Sequence, residues 1–187
     1  MNSFYSEEEL KKLGFESIGK NVSISRKASF YGTDRIKIGN NVRIDDFALL
    51  SGMIEIGNNV HIAAYTALYG GKAGIKLGDY VGISSRCAVY AESDDYMGHA
   101  MSNPTVPSKY RKTYGEQVRM ERHVLIGSGT TVLPGSVIAE GSAVGSMSFV
   151  NKSLDEWGIY VGIPCKYIKE RSKDILRLAE EYERESI

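Results

Sequence analysis

The sequence predicts a mainly β fold in which short strands follow one another around a stacked coil. Two nested repeats in its 187 residues carry this prediction. The phrase IGNNV stands at 38–42 and again at 56–60, with looser copies at 17–22 and 76–81. Within each unit of roughly 20 residues, an aliphatic or aromatic residue recurs at every sixth position. A six-residue period fits neither an α-helix nor one long strand, but a short strand followed by a corner produces it.

Alternation along each strand decides which side chains face inward. Successive residues point to opposite sides, so the sixth-position residues share the inner face with the small or β-branched residues two positions before them. Glycines follow many of these positions, as at Gly39 and Gly127, and suggest corners at which φ is positive. The predicted inner row is Ile18, Ile24, Phe30, Ile38, Ile44, Leu50, Ile56, Ile62, Leu68, Leu77, Ile83, Val89, Ile126, Val132, Ile138, Val144 and Val150.

Helix signals stand at both ends of the chain. Ser6 and Glu9 form a capping box before a short helix that Gly14 ends. In residues 172–185 charged residues surround one apolar stripe, which predicts a second helix. The stripe consists of Ile175, Leu178, Ala179 and Tyr182.

Together these elements predict a single domain over residues 1–187. A helical cap at 1–16 leads into the β coil at 17–165, and a helical tail at 166–187 follows it. An excursion at 92–117 interrupts the coil.

Composition argues against several classes of function. Lys and Arg number 23, and Asp and Glu also number 23, so no net charge attracts nucleic acid or an anionic membrane. No apolar run approaches the length of about 18 residues that a membrane span needs, and the first residues do not read as a secretory signal. We therefore expect a cytoplasmic protein. Two cysteines are too few for a disulfide framework or a cysteine-rich metal site.

The six-residue period fails between Val89 and Ile126. The segment in between contains two prolines, several tyrosines and methionines, and charges of both signs. Loops of this length in compact domains are usually functional or disordered, and the aromatic content argues against disorder. We therefore expect this excursion to carry part of a functional site.

Three features of the sequence resemble the hexapeptide-repeat acyltransferases. They are the repeated [LIV]-G-x-x-[STAV]-x pattern, the phrase LIGSGTTVLPG at 125–135, and the closing phrase VGIPCKYIKER at 161–171. The resemblance covers roughly residues 17–171. It implies a left-handed parallel β-helix, a homotrimer of subunits packed side by side, and acetyl-CoA or another acyl-CoA as co-substrate without a metal.

Within that family the excursion and the second half look most like galactoside-acetyltransferase-like members and members that N-acylate nucleotide-linked amino-deoxysugars for surface polysaccharides or glycans. The resemblance therefore implies acyl transfer to a sugar amino group. O-acetylation of a galactoside-like hydroxyl is the alternative, and a non-catalytic β-helix scaffold is a more distant one. A β-helix carbonic anhydrase would need a zinc site of three histidines, but His61, His99 and His123 lie in unlike contexts.

Two candidates for the catalytic base stand in the excursion. Galactoside-acetyltransferase-like members deliver a catalytic histidine from a loop at about this place, which implies that role for His99. Asp94 is its rival, because paired carboxylates can raise one another's pKa towards that of a useful base. The choice between them stays open at this stage. Contacts to the substrate are expected from Ser84, Glu92, Asp95, His61, Lys109 and Arg111.

The second half of the sequence is predicted to bind the coenzyme. Glycine and serine corners offer open backbone to the pantetheine amides and to the oxyanion of the reacting carbonyl. Two lysines offer positive charge to the phosphates, one of them within the closing phrase. The expected CoA contacts are Gly127, Ser128, Gly145, Ser146, Lys152 and Lys166.

Overall fold

The computed structural model describes residues 3–185 and has the architecture of a left-handed parallel β-helix of about seven turns. Each full turn lays one short strand on each of three faces, and strands on one face pair in parallel with those of the turns above and below. Thus Arg43 pairs with His61, and His61 pairs with Gly82. The predicted mainly β coil is confirmed.

The strands divide among three faces, which we number in chain order. The first face holds Ser17–Ile18, Ile36–Ile38, Val118–Met120 and Val137–Ile138. The second face holds Ser23–Ile24, Arg43–Ile44, His61–Ile62, Gly82–Ile83, Leu125–Ile126, Ala143–Val144 and Gly158–Gly162. The third face holds Ser29–Tyr31, Ala88–Tyr90, Thr131–Val132 and Phe149–Val150. Two long strands, Leu49–Ile56 and Ala67–Leu77, start on the third face and continue onto the first.

The predicted inner row forms the core. Ile24, Ile44 and Leu50 have no solvent-exposed area, and most of the row is equally buried. The first turn is the exception, since Ile18 and Phe30 are only half-buried at the open end of the coil. Buried hydroxyl residues occupy the small inner positions of later turns, as predicted: Thr66, Thr130, Ser136, Ser142 and Ser148.

The predicted N-terminal helix covers the open end. It runs over Glu7–Lys12 and buries Leu10 in the core. The Ser6 amide donates to the Glu9 carboxylate at 2.8 Å, and the Glu9 amide donates to the Ser6 hydroxyl at 3.3 Å. This reciprocal pair is the predicted capping box, which satisfies two amides at the start of the helix.

The predicted positive φ is not found at the glycines of the IGNNV phrases. The left-handed conformation occurs two residues later, at Asn41 (φ 55°) and Asn59 (φ 56°). A Cβ on Gly39 would lie 2.5 Å from the carbonyl oxygen of Gly57 in the next turn. Glycine is therefore needed because successive turns stack backbone against backbone, while asparagine, which tolerates the left-handed region, makes the corner.

The excursion leaves the coil as a β-hairpin. Glu92–Asp94 pairs antiparallel with Thr113–Gly115, and a 3₁₀ turn at Ser108–Tyr110 lies between the two strands. A second 3₁₀ turn, Thr33–Arg35, lies at a corner near the open end. The hairpin fixes the base of the excursion against the third face, where the preceding strand ends.

The coil resumes at Val118, directly after the predicted excursion at 92–117 and one strand before the predicted inner row restarts at Ile126. Val118–Met120 pairs in parallel with the end of the preceding turn, with Met120 opposite Leu77. Met120 is fully buried and stands six residues before Ile126, so it fills the sixth position that the prediction left empty. The prediction missed it because the inner row was defined by aliphatic and aromatic residues alone.

The helical tail predicted from residue 166 begins later, because a strand comes first. Cys165–Glu170 is a strand, antiparallel to Gly158–Gly162, and it extends the second face at the end of the coil. Pairing here gives partners to backbone groups that a terminal strand would otherwise leave unpaired. The second helix follows at Asp174–Glu185, close to its predicted limits. Residues 186 and 187 of the predicted tail, like residues 1 and 2 of the predicted cap, lie outside the described residues.

The second helix packs its predicted apolar stripe against the coil. Ala179 is buried, and Tyr182 donates its hydroxyl hydrogen to the Asn59 side chain at 3.3 Å. Over residues 3–185 we find no helix with the length and apolarity needed to cross a membrane.

Candidate active site

The hairpin carries two carboxylates in different surroundings. Glu92 turns back onto the preceding turn, where its Oε1 accepts the backbone amide of Lys72 at 2.6 Å. Gly71 lies beneath this carboxylate with a φ of 53°, so a Cβ there would be strained and would displace the Glu92 side chain. The Asp94 side chain, two residues further on, has no hydrogen-bond or ion-pair partner among residues 3–185. Asp94 is therefore free to receive a substrate group.

The carboxylate of Asp95, the next residue, is hydrogen-bonded to the backbone of the loop. It is buried, and its two carboxylate oxygens accept the backbone amides of Met97 and Ala100, each at 2.8 Å. The hydrogen bond from Met97 is the main cause of a lowered Asp95 pKa, and burial opposes it only in part. A carboxylate engaged in this way closes the turn of the excursion, which supports a positioning role rather than the predicted substrate contact.

Asp94 lines a cavity of about 600 Å³ between the hairpin and the third face. The cavity has the volume of a small-molecule site and the expected make-up of an apolar wall with a few polar groups. Besides the hairpin residues, its wall consists of Tyr90, Tyr96, Thr131, Leu133, Pro134 and Phe149.

Sequence reasoning missed this aromatic wall. Tyr90 and Phe149 adjoin the inner residues Val89 and Val150 on the third face. Their outward positions could have been inferred from alternation, but nothing in the period shows that the hairpin folds over them.

His99 lies away from this cavity. It is exposed in the loop beyond the hairpin and is not part of the lining of the cavities of Asp94, Ser84 or Lys152. Its backbone amide faces Asp95 and helps to lower the pKa of that carboxyl. The loop position predicted for His99 is observed, and its catalytic role stays a prediction.

Three further candidates meet on the second face. His61, Ser84 and Ser128 line a shallow cavity of about 250 Å³. The Nε2 atom of His61 is 2.8 Å from Oδ2 of Asp45, whose other oxygen accepts from Arg43 at 2.7 Å. The side chain of His61 points outward as alternation predicts, and its ring is oriented by Asp45.

The prediction that the glycine amides of the second half bind the oxyanion is wrong for Gly127 and Gly145. The amide of Gly127 donates to Val144 at 2.7 Å, and the amide of Gly145 donates to Tyr160 at 2.8 Å. These two N–H groups hold successive turns together and are not available to an oxyanion. The exposed Ser146 beside Gly145 remains accessible.

Lys152 and Lys166 lie at the C-terminal end of the coil. Both side chains are exposed, and Lys152 lines a cavity of about 610 Å³ together with Trp157 and Tyr160. Lys166 lies on the closing strand outside the lining of that cavity. The lining carries both signs of charge, because Asp155, Glu156 and Glu170 stand beside Lys152, Arg171 and Lys173, so the phosphates of a nucleotide would have to bind at the basic side chains.

The two basic residues predicted to contact the substrate lie in the excursion, away from the cavity beside Asp94. The Lys109 ammonium lies 4.7 Å from the ring centre of Tyr110. Arg111 is half-buried, and its Nε is buried without a hydrogen-bond partner among residues 3–185. Neither lines the cavity beside Asp94.

Comparison with known proteins decides the family. No protein-family profile matches the chain. The dTDP-4-amino-4,6-dideoxy-D-glucose acyltransferase of Escherichia coli is 46% identical over 179 residues, covering 94% of this chain and 93% of that protein. The chain belongs to this family of acyltransferases. The predicted family and the predicted CoA-dependent acyltransferase class are therefore confirmed.

Solved structures agree with this assignment. The acyltransferase superimposes with a TM-score of 0.96 and 54% identity on the S84C mutant of AntD, an N-acyltransferase from Bacillus cereus in complex with dTDP-4-amino-4,6-dideoxyglucose and coenzyme A. Each chain is covered to 99%. AntD has also been solved with dTDP and 3-hydroxybutyryl-CoA, at 54% identity and the same TM-score of 0.96. A galactoside acetyltransferase in complex with coenzyme A, at 20% identity and a TM-score of 0.58, covers 89% of this chain and 70% of its own and shares the fold.

Among residues 3–185 no three His, Cys, Asp or Glu side chains are grouped so that they could hold a metal ion.

Proposed function

We propose that this acyltransferase transfers an acyl group from a CoA thioester to the 4-amino group of dTDP-4-amino-4,6-dideoxyglucose. The observation that carries the proposal is the free carboxylate of Asp94 at a cavity of about 600 Å³. The acceptor is inferred from the relatives, which match this chain over nearly its whole length and are named for, or solved with, that sugar. Such an activity would serve the synthesis of a surface polysaccharide or glycan.

The reaction needs little more than positioning and a proton acceptor. The amine nitrogen attacks the thioester carbonyl, the new C–N bond forms, and the C–S bond then breaks to release CoA. We assign Asp94 the task of orienting the amino group and accepting its proton, which finally passes to the CoA sulfur. Holding both substrates together supplies most of the rate, and a positioned base contributes about 10²- to 10⁴-fold.

We place the coenzyme on the second half of the chain. Lys152, Lys166 and the cavity beside Trp157 suit the nucleotide end, and Ser128 and Ser146 lie along the second face towards His61 and Ser84. This arrangement leaves the excursion to the acceptor sugar.

We further propose a homotrimer, as the family resemblance implies. The cavity of Asp94 and that of Ser84 are lined by different residues, and neighbouring subunits packed side by side could bring them together. The coil carries exposed apolar side chains that an interface would cover, including Phe47, Tyr65 and Leu125. Sedimentation should give three times the monomer mass, and a monomer would contradict a site shared between subunits. A cytoplasmic location is proposed because acyl-CoA and nucleotide sugars are made there.

The activity can be tested by following thiol release from acetyl-CoA and 3-hydroxybutyryl-CoA. The acceptors would be dTDP-4-amino-4,6-dideoxyglucose, a dTDP-linked 3-amino sugar and a simple galactoside. We expect release with the 4-amino sugar and an amide product by mass spectrometry. Release with the galactoside alone would replace the proposal with O-acylation, and absence of release with every pair would overturn it.

A further inference from the structure

We propose that the ring of Tyr90 is the surface on which the base of the nucleotide-linked acceptor stacks. The proposal rests on the function proposed above and adds a residue that determines acceptor affinity. It concerns the same cavity as Asp94 but the opposite part of the substrate.

Tyr90 belongs to a short aromatic stack on the third face. Its ring lies parallel to that of Tyr69 in the preceding turn, with ring centres 4.9 Å apart and planes inclined by 11°. The register of the strands places Tyr31, Ser51, Tyr69 and Tyr90 in one column across four turns. Tyr69 therefore fixes one face of the Tyr90 ring in place.

Tyr90 lines the cavity, and the strand register places Leu133, another lining residue, next to it in the following turn. The following turns of the third face contribute Thr131 and Phe149 to the cavity wall, so the cavity lies on the side of Tyr90 away from Tyr69. Pro134 adds another apolar surface to the same wall. A planar base entering the cavity beside Leu133 would stack on the Tyr90 ring in the offset-parallel geometry that aromatic rings favour.

Tyr90 also has the chemistry of a neutral stacking platform. Burial raises the pKa of its phenol, with the nearby Tyr69 and Tyr96 hydroxyls adding to the effect. The ring thus carries no charge to repel the acceptor diphosphate. Asp94 follows Tyr90 after three residues and lines the same cavity. The proposal therefore assigns the two ends of the acceptor to one cavity, the base to Tyr90 and the amino group to Asp94.

A second stacked pair lies outside this cavity. Phe47 and Tyr65 also have ring centres 4.9 Å apart, at 21°, but both stand at a corner and line neither the cavity of Asp94 nor that of Ser84. The stack that ends in Tyr90 differs because its last ring opens into a cavity that holds a free carboxylate.

Binding of dTDP, measured by calorimetry on the intact protein, tests the proposal. Stacking of one base on an aromatic ring implies that Tyr90→Leu weakens dTDP binding by roughly 5- to 100-fold. The KM for the amino sugar should rise by a similar factor, while the KM for acyl-CoA stays unchanged. Tyr90→Phe should keep the affinity of the wild type. Tyr31→Leu, in the same column but separated by Ser51, is the matched control and should bind as the wild type does.

The outcomes separate this inference from the proposed function. Equal dTDP affinity of the wild type and Tyr90→Leu, with both folded and active on the amino sugar, would overturn the stacking role alone. Loss of affinity in Tyr90→Phe as well would also overturn it, because the hydroxyl rather than the ring would then be responsible. A wild type that neither binds dTDP nor acylates the amino sugar would remove the proposed function, and the inference with it.

Discussion

The Asp95 carboxylate accepts the backbone amide of Ala100 at 2.8 Å, whereas the carboxylate of Asp94, its neighbour in the chain, has no partner among residues 3–185. One residue thus holds the loop and the other faces the cavity. A substitution of Asp95 should therefore affect the loop, whereas a substitution of Asp94 should affect the reaction.

Asp94→Asn should abolish most of the activity while leaving the fold intact. The amide keeps the shape of the side chain but accepts no proton, so we expect kcat to fall by about 10²- to 10⁴-fold. The KM for acyl-CoA and the melting temperature should change little. Thiol release and thermal unfolding measure both effects.

Two control substitutions sharpen this prediction. Asp95→Asn should loosen the excursion, which limited proteolysis between residues 96 and 101 would detect, because an amide cannot accept both backbone N–H groups equally well. His99→Ala should cost less than about tenfold in kcat with an amine acceptor, well below the contribution of a positioned base. A larger loss in His99→Ala than in Asp94→Asn would reverse the assignment of the base.

Stability should fall as the pH drops below 6.5 because of His123. This histidine is buried and stacks on Tyr80, and burial lowers its pKa, with Arg122 and Arg171 adding to the effect. As the pH falls below about 6.5, the unfolded chain takes up the proton before the folded chain does. The free energy of unfolding therefore declines between pH 6.5 and the lower pKa of the folded state.

Denaturant unfolding between pH 5 and 8 measures this decline. His123→Phe should reduce the slope in that window, and His99→Phe at an exposed site serves as the control substitution. An unchanged slope in His123→Phe would assign the titration to another group.

Gly39→Ala should destabilise the coil although its backbone conformation suits alanine. The new Cβ would lie 2.5 Å from the backbone oxygen of Gly57, so two turns would have to separate. Overpacking of this kind costs about 1–3 kcal/mol. Gly82→Ala is the matched control, since its Cβ would meet only the tip of the Leu125 side chain, at 3.2 Å. Equal melting temperatures for the two variants would contradict the stacking argument.

Lys152→Ala should weaken acyl-CoA binding without affecting the acceptor. Loss of one charge-assisted hydrogen bond to a phosphate implies an increase of about tenfold in the KM for acyl-CoA. Lys20→Ala, at the opposite end of the coil, should leave this KM unchanged. A rise in the KM for the amino sugar instead would place the acceptor, and not the coenzyme, at the C-terminal end.

Much of the fold was predictable because its signal is local. Ile38, Ile44 and Leu50 repeat every six residues, and each position is buried for the same reason in every turn. The prediction failed where one residue type replaced another in the pattern, as at Met120. It also failed where backbone contact between turns decides the residue, as at Gly39.

The residue pattern alone predicts the coil, its inner row, the two helices and the excursion that carries the candidate acid and base groups. Which of the carboxylates is free depends on contacts made in the folded chain. The Glu92 carboxylate accepts a hydrogen bond from a backbone amide 20 residues earlier in the chain. The Asp95 carboxylate accepts hydrogen bonds from two backbone amides within the turn of the loop. Tyr90 likewise lines a cavity only in the folded chain, because that wall forms when the hairpin folds over later turns. Hydrogen-bond partners and cavity walls join segments far apart in the chain, and a local repeat does not encode them.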